Sequence, residues 1–527
     1  MVEQSERTRA LLRRLMGVPA GGDLEQLLAP GHVLACLAKD AAHLPQAQLT
    51  FSFAVNLLSR LHPVVQELTV VAPESVPSAV LLPRWHADQL AGHIRVLLGE
   101  LKPPVTWCVE PVARAGASVA LIVGDAKVEA EHHVYVGSNG WEAIVSPNSP
   151  VPIGPLVNPV GAYAAACIAV GEVWKRLLQR HRHLFGGRPI IPLDRRLDFS
   201  CLSYRSDAAS ENPALAPLSD LGRLTVVGLG AGGGAAAYTL ASLPRVRSNL
   251  TLVEPDEVNL PNLNRYVFAT DDDARSGRLK TDVVADLFHL HGEVAITRFA
   301  EPFNVAQQRI HVRDLRRVLA AVHSRQVRRD LQYETPQVLW DGGATEDGEF
   351  RVWRIALGRT ECMFCKHPPD EGDPEQEEAA QLAALLGFDA KMWLGMLRDN
   401  RAFTADEIAL LSRRRDDLKL EFDVPKGGER YSDWYSDQCG RLRLPEMDQE
   451  IPIPFAPVMA GVLLAGEVIK EAECLESVLP HYYGNTLAGS WMRRVQPQGR
   501  APRAACVRCQ SPIFRAQFER RWGVRPE

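Results

Sequence analysis

A short apolar segment that runs directly into a cluster of glycines constrains the fold of this chain more than any other feature. Leu224-Thr225-Val226-Val227 has the composition of a buried strand, and Gly228-Leu229-Gly230-Ala231-Gly232-Gly233-Gly234 follows it before an alanine-rich segment. A strand, a tight turn and a helix in this order predict an α/β fold with a mostly parallel sheet. Glycines suit such a turn because phosphate oxygens can then approach the backbone amides at the start of the helix.

The residues after this turn reduce the number of nucleotide-binding families to which the chain could belong. The next strand, 249–253, ends at Glu254, where a Rossmann-type fold places the carboxylate that binds a ribose. A nicotinamide or flavin enzyme would share both features, so the glycine pattern alone is weak evidence. The segments that follow are foreign to dehydrogenases: Glu254-Pro255-Asp256-Glu257-Val258, Pro261-Asn262-Leu263-Asn264-Arg265-Tyr266, and Gly277-Arg278-Leu279-Lys280.

In this order the motifs resemble those of the ubiquitin-activating superfamily, which includes the enzymes that adenylate sulfur-carrier proteins. The resemblance implies an ATP-binding site with Mg²⁺ as a cofactor. It implies that Arg265 and Lys280 act catalytically, because positive charges stabilise the pyrophosphate that leaves. Glu254 would hold the ribose. The full set of nucleotide-binding residues that the resemblance implies is Gly228, Gly230, Gly233, Glu254, Asn262, Arg265 and Lys280.

One position departs from the family pattern. The family places an aspartate that helps to hold magnesium after a strand and before a helix containing arginine. Here the apolar segment 318–322 is followed by His323 and then by Arg328. Either magnesium is bound in a different way or the alignment is locally shifted at His323.

Two halves of the chain repeat one another in the same order. Residues 68–76 match residues 250–258, and residues 164–175 resemble residues 459–470 around a shared Gly-Glu-Val. Each match could arise by chance between apolar segments, but the common order favours two copies of one α/β unit. The first copy has no glycine at the corresponding turn, which the alignment places near 46–51, and no Asn-Leu-x-Arg. We therefore expect it to be an inactive partner domain.

These patterns predict an α/β protein with two Rossmann-like, adenylation-type domains. The chain has 527 residues, too many for a single hydrophobic core. We expect an inactive adenylation-like domain at 1–205 and an active adenylation domain at 206–527, separated by a proline-rich connector. The second copy is the longer one, and a helical catalytic-cysteine module is predicted as an insertion at about 366–450.

Two Cys-x-x-Cys pairs suggest a zinc site. Each pair can place two thiolates on one side of a tight turn, and four thiolates suit tetrahedral Zn²⁺. Several members of the superfamily carry such a zinc, and the metal would tie the end of the chain to the second half. Two unrelated pairs or a redox pair are the alternatives. The four predicted ligands are Cys362, Cys365, Cys506 and Cys509.

Cys439 is the candidate nucleophile. It lies after the first cysteine pair, in the stretch where related enzymes place the cysteine that accepts the activated carbonyl. Arg441 and Arg443 could lower its pKa, which favours the thiolate. A free structural cysteine is the alternative. The other five cysteines have apolar neighbours and are expected in the core: Cys36, Cys108, Cys167, Cys201 and Cys474.

Charge and composition limit the classes of partner and compartment. The net charge of −5 gives no electrostatic reason to expect nucleic acid or an anionic membrane as a partner. The apolar segments are shorter than a membrane span, and no targeting segment is evident, so we expect a cytoplasmic location. The internal inactive copy could replace a second subunit, and a monomer and a homodimer both remain open.

The resemblance implies an activating enzyme for a ubiquitin-like protein. ATP and a C-terminal carboxylate would give an acyl-adenylate, which Cys439 would capture as a thioester and could pass to a conjugating-type enzyme. The paired domains resemble activating enzymes of bacterial conjugation operons, some of which serve antiphage defence. Three alternatives stay open: an activator of a sulfur-carrier protein, a peptide-modifying adenylating enzyme, and a non-catalytic scaffold.

Overall fold

The architecture comes from a computed structural model. It describes residues 2–17, 24–80, 83–85, 87–112, 116–185, 190–206, 211–345, 348–357, 360–368, 380, 382–399, 401–418, 422–431, 434, 453–476, 482–492, 495, 497–504 and 506–526.

The first half of the molecule is built on a seven-stranded sheet. Its strand order is β3-β2-β1-β4-β5-β6-β7, with β1 to β5 parallel and with β6 and β7 added antiparallel. Its β1, β2 and β4 are largely buried and rich in Val, Ile, Leu and Ala, as parallel strands covered on both faces require. The strands are β1 His32–Leu37, β2 Glu67–Val71, β3 Thr106–Glu110, β4 Ala117–Val123, β5 Ala130–Asn139, β6 Glu142–Ser146 and β7 Leu197–Ser200.

The second half repeats this topology. Its strand order is β10-β9-β8-β11-β12-β13-β14, with the same parallel core and two antiparallel strands at one edge. The predicted α/β fold class with a structural repeat is therefore confirmed. The strands are β8 Ser219–Val227, β9 Val246–Val253, β10 Glu293–Phe299, β11 Arg317–Ala320, β12 Val338–Ala344, β13 Glu349–Ile355 and β14 Tyr482–Thr486.

Helices connect the strands and fill the space between the halves. In the first half they are α1 Val2–Met16, α2 Leu24–Leu27, α3 Pro45–Leu58, α4 Leu90–Leu101 and α5 Pro159–Gln179. In the second half they are α6 Ala231–Ala241, α7 Asp271–Arg275, α8 Lys280–Asp286, α9 Phe303–Ala306, α10 Arg325–Tyr333, α11 Met363–Lys366, α12 Ala390–Asp399, α13 Ala405–Leu418, α14 Phe455–Ala472 and α15 Pro512–Trp522. None of the helices in the described ranges combines the length and apolarity that a bilayer crossing requires.

The two halves share one hydrophobic core, in which α5 and α14 are packed together. Both helices are rich in apolar residues and are buried along almost their whole length, which is the pattern of a helix covered on every face. Each carries a buried Glu–Lys pair three residues apart, Glu172 with Lys175 and Glu467 with Lys470. Lys175 also donates to the carbonyl of Gly489, 3.1 Å away, and Tyr204 donates to Glu467 at 2.8 Å. Each pair thus bonds to the segment that follows the last strand of the opposite half.

Part of the inserted module forms a core of its own. Phe388, Trp393, Phe403 and Trp434 pack in a cluster that is separate from the main core. The boundaries at residue 205 and at about 366–450 stay predictions; the first sheet ends at Ser200 and the second begins at Ser219.

Two details of the sequence analysis are wrong. The turn of the first copy is formed by residues 38–44, because α3 begins at Pro45 and already includes the range 46–51. This turn also lacks glycine, so the contrast with the second copy persists. Cys474 is exposed, since it follows the end of α14 in a left-handed backbone conformation with φ of 53°.

Candidate nucleotide site and cysteine cluster

The glycine turn joins β8 to α6 at the carboxyl edge of the second sheet. Gly228 has φ of +84°, a conformation that favours glycine. A Cβ on Gly233 would lie 1.8 Å from the carbonyl oxygen of Gly228, so the turn can close only with glycine there. A Cβ on Gly230 would meet nothing nearer than the Tyr266 hydroxyl at 3.9 Å. The start of α6, with its free amide groups, therefore faces open space, as phosphate binding requires.

Glu254 follows β9 and faces this turn. Its Oε2 accepts a hydrogen bond from the amide of Leu229 at 2.6 Å, which fixes the carboxylate beside the glycines. The side chain is buried, and burial raises its pKa, while the neighbouring Lys280 ammonium acts in the opposite direction. Glu254 thus lies next to the turn, and its contact with a ribose stays a prediction.

Lys280 forms ion pairs with two acidic residues at this edge of the sheet. Its Nζ lies 3.2 Å from Glu254 Oε1 and 2.8 Å from Asp256 Oδ2. The two segments run side by side because the amide of Lys280 donates to the carbonyl of Asp256 at 3.1 Å. Burial alone would lower the pKa of Lys280, but Glu254, Tyr266 and Asp256 outweigh it and raise the pKa. Lys280 therefore stays charged in a largely buried position.

Asn262 and Arg265 lie on the adjacent 3-10 turn Leu260–Asn262 and directly after it. Asn262 Oδ1 and Arg265 Nη1 are buried and lack a hydrogen-bond partner among the described residues. A buried polar atom without a partner costs about 1–3 kcal/mol, so such atoms point to a ligand or water. The structure thus brings Glu254, Lys280, Asn262 and Arg265 into one region of the second half.

The first half contributes a residue that the sequence analysis missed. Helix α1 lies over the 3-10 turn, where Asn264 Nδ2 donates to Thr8 at 3.2 Å. Burial raises the pKa of Tyr266, and the positive charges of Lys280 and Arg7 oppose this rise. Arg7 therefore acts electrostatically on Tyr266 from the other half. No local motif marks it, because its position depends on contacts between the halves.

Asp341 is a second residue that the sequence analysis did not single out. It lies in β12, fully buried, and bonds to Arg328 Nε at 2.8 Å and to Lys366 Nζ at 2.7 Å. Burial would raise the pKa of Asp341, but the two cations outweigh it and lower the pKa. Arg328 also donates to the carbonyl of His323 at 2.9 Å and so fixes the loop after β11. A carboxylate in an otherwise apolar strand, Leu339-Trp340-Asp341, was the available signal.

His323, in the loop after β11, is exposed. Burial would raise the pKa of Asp256, but Lys280, with His323 adding to it, lowers the pKa below the usual value. Asp256, with 43% of its side chain exposed, is thus an accessible carboxylate at this edge of the sheet.

The four predicted cysteine ligands come together although the chain separates the two pairs widely. Their sulfur atoms all lie within 4.8 Å of one another. The Sγ–Sγ distances are 3.8 Å for Cys362–Cys365, 3.6 Å for Cys362–Cys506 and 3.5 Å for Cys365–Cys509. Zinc–sulfur bonds of about 2.3 Å place tetrahedral sulfurs about 3.8 Å apart, so this set fits a zinc ion. The amide of Arg503 points at Cys365 Sγ, 3.4 Å away.

Cys439 lies outside the residues that the structure describes. In the sequence, the described residues on either side of it are Trp434, which belongs to the core of the inserted module, and Ile453 before α14.

Comparison with protein families assigns more than half of the chain to a known family. Residues 210–508 match the model of the ThiF family, and residues 33–189 match that of the BilD N-terminal domain. The chain belongs to the ThiF family. This is a family of adenylating enzymes, so membership supports ATP-dependent adenylation of a substrate, in agreement with the resemblance of the motifs.

One relative and two solved structures that match this ThiF-family chain are at most 26% identical to it. An uncharacterised protein, y4jF of Sinorhizobium fredii, is 26% identical over 469 residues, which cover 86% of this chain and 83% of that protein. E. coli MccB with MccA-N7isoASN matches with a TM-score of 0.33 and 12% identity, covering 55% of this chain and 67% of MccB. The complex of E. coli MccB with ATP gives a TM-score of 0.32 and 16% identity, with the same coverage of 55% and 67%.

Proposed function

We propose that this enzyme adenylates the C-terminal carboxylate of a ubiquitin-like protein and transfers the acyl group to Cys439 as a thioester. The observation that carries the adenylation step is the geometry at the edge of the second sheet. Gly228 and Gly233 let the turn close, and Gly230 leaves the helix start open to phosphate. Glu254 lies beside the turn, and Lys280 and Arg265 supply positive charge. Positive charge there stabilises the leaving pyrophosphate.

The paired architecture supports a ubiquitin-like substrate. The first half repeats the topology of the second, but its turn, residues 38–44, has no glycine and carries side chains where phosphate would need access. The inserted module adds a separate core between the first cysteine pair and α14. An activator that ends at the adenylate needs no such module, whereas thioester formation needs a domain that presents a cysteine. We therefore place the acceptor on this module, at Cys439.

Two metal ions belong to this proposal. Mg²⁺ would accompany ATP, and carboxylate oxygens are its preferred protein ligands. Because His323 stands where the family has an aspartate, we assign the carboxylate ligand to Asp256, which is partly exposed. Zn²⁺ held by the four cysteines would be structural, because four protein ligands leave no open position for a substrate.

The deciding experiment measures pyrophosphate exchange into ATP with ubiquitin-like proteins encoded beside this gene. Wild type, Cys439→Ala and Cys474→Ala would be compared, and adducts would be separated on non-reducing gels. Exchange in all three, with a thiol-sensitive adduct missing only from Cys439→Ala, supports both steps. Cys474 is the matched control because its thiol is exposed but lies beyond the module.

The other outcomes separate the alternatives. Exchange without any thiol-sensitive adduct favours a sulfur-carrier activator. Exchange with a short peptide encoded nearby, but with no folded carrier, favours a peptide-modifying enzyme. Absence of exchange together with absence of ATP binding contradicts the catalytic proposal and favours a scaffold. An adduct that survives in Cys439→Ala would move the thioester to another cysteine. The biological setting, a bacterial conjugation or antiphage system with a conjugating-type enzyme, would be tested by deleting the gene and challenging the cells with phage.

A further inference from the structure

The segment from Leu263 to Ala269, which contains Arg265, is held by hydrogen bonds from side chains of the first half. Arg60, which follows α3, donates from Nη1 to the carbonyl of Leu263 and from Nη2 to the carbonyl of Ala269 at 3.3 Å. Asn56 of α3 donates to the carbonyl of Val267 at 2.9 Å. One guanidinium therefore spans both ends of the segment, and an amide holds its middle.

Arg60 is itself fixed in place. Its Nε donates to Asn56 Oδ1 at 2.7 Å, so the two side chains form one unit. The residue is 6% exposed, and no ion pair joins it to a carboxylate in the part of the chain that is described. Burial lowers the pKa of Arg60 to about 9. Carbonyl oxygens thus replace the counter-ion that a buried arginine ordinarily has.

A buried charge that is satisfied by carbonyl oxygens and not by a carboxylate is a demanding arrangement, since misplacing any of them leaves an N–H group of the guanidinium without its partner. It also defines the conformation of the backbone it binds. Arg84 adds to this, donating from Nη1 to the carbonyl of Phe268 at 3.3 Å and pairing with Asp273 at 2.8 Å. The carbonyls of Leu263, Val267, Phe268 and Ala269 are all held by side chains of the first half.

We propose that Arg60, with Asn56, is the positioning residue through which the first half sets the phosphate-contacting segment of the second half. This inference rests on the proposed ATP site. It gives the first half a defined role, because Arg60 does not touch the nucleotide but fixes the backbone that presents Asn262 and Arg265. Loss of Arg60 therefore weakens contacts to the β- and γ-phosphates and leaves those to adenine and ribose intact.

The test compares ATP with AMP, which lacks the two outer phosphates. Dissociation constants for Mg-ATP and for AMP are measured by calorimetry on the full chain, without any carrier protein. The variants are Arg60→Met, which removes the charge and both carbonyl contacts, and Arg60→Lys, which keeps the charge but cannot span two carbonyls. Tyr204→Phe is the matched control, because it removes another buried hydrogen bond between the halves, at 2.8 Å from Glu467 and away from this segment.

We expect Arg60→Met to weaken Mg-ATP binding tenfold or more and to change AMP binding less than twofold. Arg60→Lys should remain at least fivefold weaker than wild type for Mg-ATP, and Tyr204→Phe should bind both nucleotides like wild type. If Arg60→Met does not fold, Arg84→Met gives the same test through one carbonyl contact, with an expected loss of about threefold for Mg-ATP alone.

Three results would overturn the inference: equal losses for ATP and AMP, an unchanged affinity for ATP in folded Arg60→Met, or full recovery in Arg60→Lys. The last would mean that charge, and not positioning, is what matters. Failure of the wild-type chain to bind ATP at all would instead contradict the proposed function, so the two failures are distinguishable.

Discussion

Lys280 Nζ donates to Glu254 Oε1 at 3.2 Å, and both side chains are less than one tenth exposed. The lysine thus pairs with a buried carboxylate of the protein itself, and in the proposed ATP site it would also contact phosphate. Its dual position has consequences for substitution that a surface lysine would not have.

Replacing Lys280 with Met leaves Glu254 buried without its cation. Removing one partner of a buried ion pair costs up to about 3–5 kcal/mol, so we expect a clear fall in the free energy of unfolding and loss of measurable adenylation. The double variant Glu254→Gln, Lys280→Met should recover much of the stability but none of the activity. Denaturant unfolding and pyrophosphate exchange measure the two effects, and recovery of exchange in the double variant would contradict the role of Lys280.

Three glycines of the turn are expected to respond differently to alanine. Gly233→Ala places a Cβ 1.8 Å from a backbone oxygen, so it should destabilise the turn by about 1–3 kcal/mol or more. Gly232→Ala meets nothing nearer than 3.5 Å and should change stability by less than about 1 kcal/mol. Gly230→Ala should leave stability unchanged but weaken ATP binding tenfold, because its methyl group would stand where phosphate approaches. ATP titration and thermal unfolding of the three variants check this order.

The cysteine cluster should bind one zinc ion per chain. Cys506→Ser removes a ligand, so we expect metal content to fall below half of the wild-type value and α15 to become sensitive to protease. Cys474→Ser should retain full metal content. Elemental analysis of purified chains gives the ratio, and wild-type protein that purifies without any bound metal would argue for a redox or purely structural cluster.

Glu407 caps the first turn of α13 in a capping box with Thr404. The hydrogen bond from Arg401, acting with Thr404 against partial burial, lowers the pKa of Glu407 to about 2. Because the pKa of Glu407 is lower in the folded state than its unfolded value of about 4.3, the ionised carboxylate stabilises the fold at pH values above about 4.3. This stabilisation is lost as the pH falls towards 2. Glu407→Ala should therefore cost about 0.5–2 kcal/mol at neutral pH and progressively less below pH 5. Hydrogen exchange of the amides of 405–418 measures this, and a pH-independent difference would be inconsistent with it.

The parts of the fold that could be predicted from sequence are those set by local chemistry. The β8 turn is local, since neighbouring glycines dictate it, and each Cys-x-x-Cys pair is local too. The turn of the first copy was misplaced because α3 is longer at its N-terminal end than α6, the corresponding helix of the second copy. An alignment without gaps cannot show this difference in length. Cys474 was misjudged because apolar neighbours in sequence do not guarantee burial just after a helix end.

The parts that could not be predicted depend on contacts between distant segments. Arg60 meets the carbonyl of Leu263 across the two halves, and Asp341 meets Lys366 between two separate segments of the second half. Arginine and lysine at such positions are indistinguishable in sequence from exposed ones. Arg7 belongs to the same class, because its charge acts on Tyr266 through the packing of α1 on the second half.

The contacts that the Glu–Lys pairs of α5 and α14 make between the halves determine how this enzyme responds to dilution. In an assembly of separate subunits, mass action would release a supporting half as the protein concentration falls. Here Tyr204 and Glu467 belong to one polypeptide, so the effective concentration of one half at the other is set by the chain between them. The first half consequently stays beside the segment from Leu263 to Ala269 at any protein concentration in the cell.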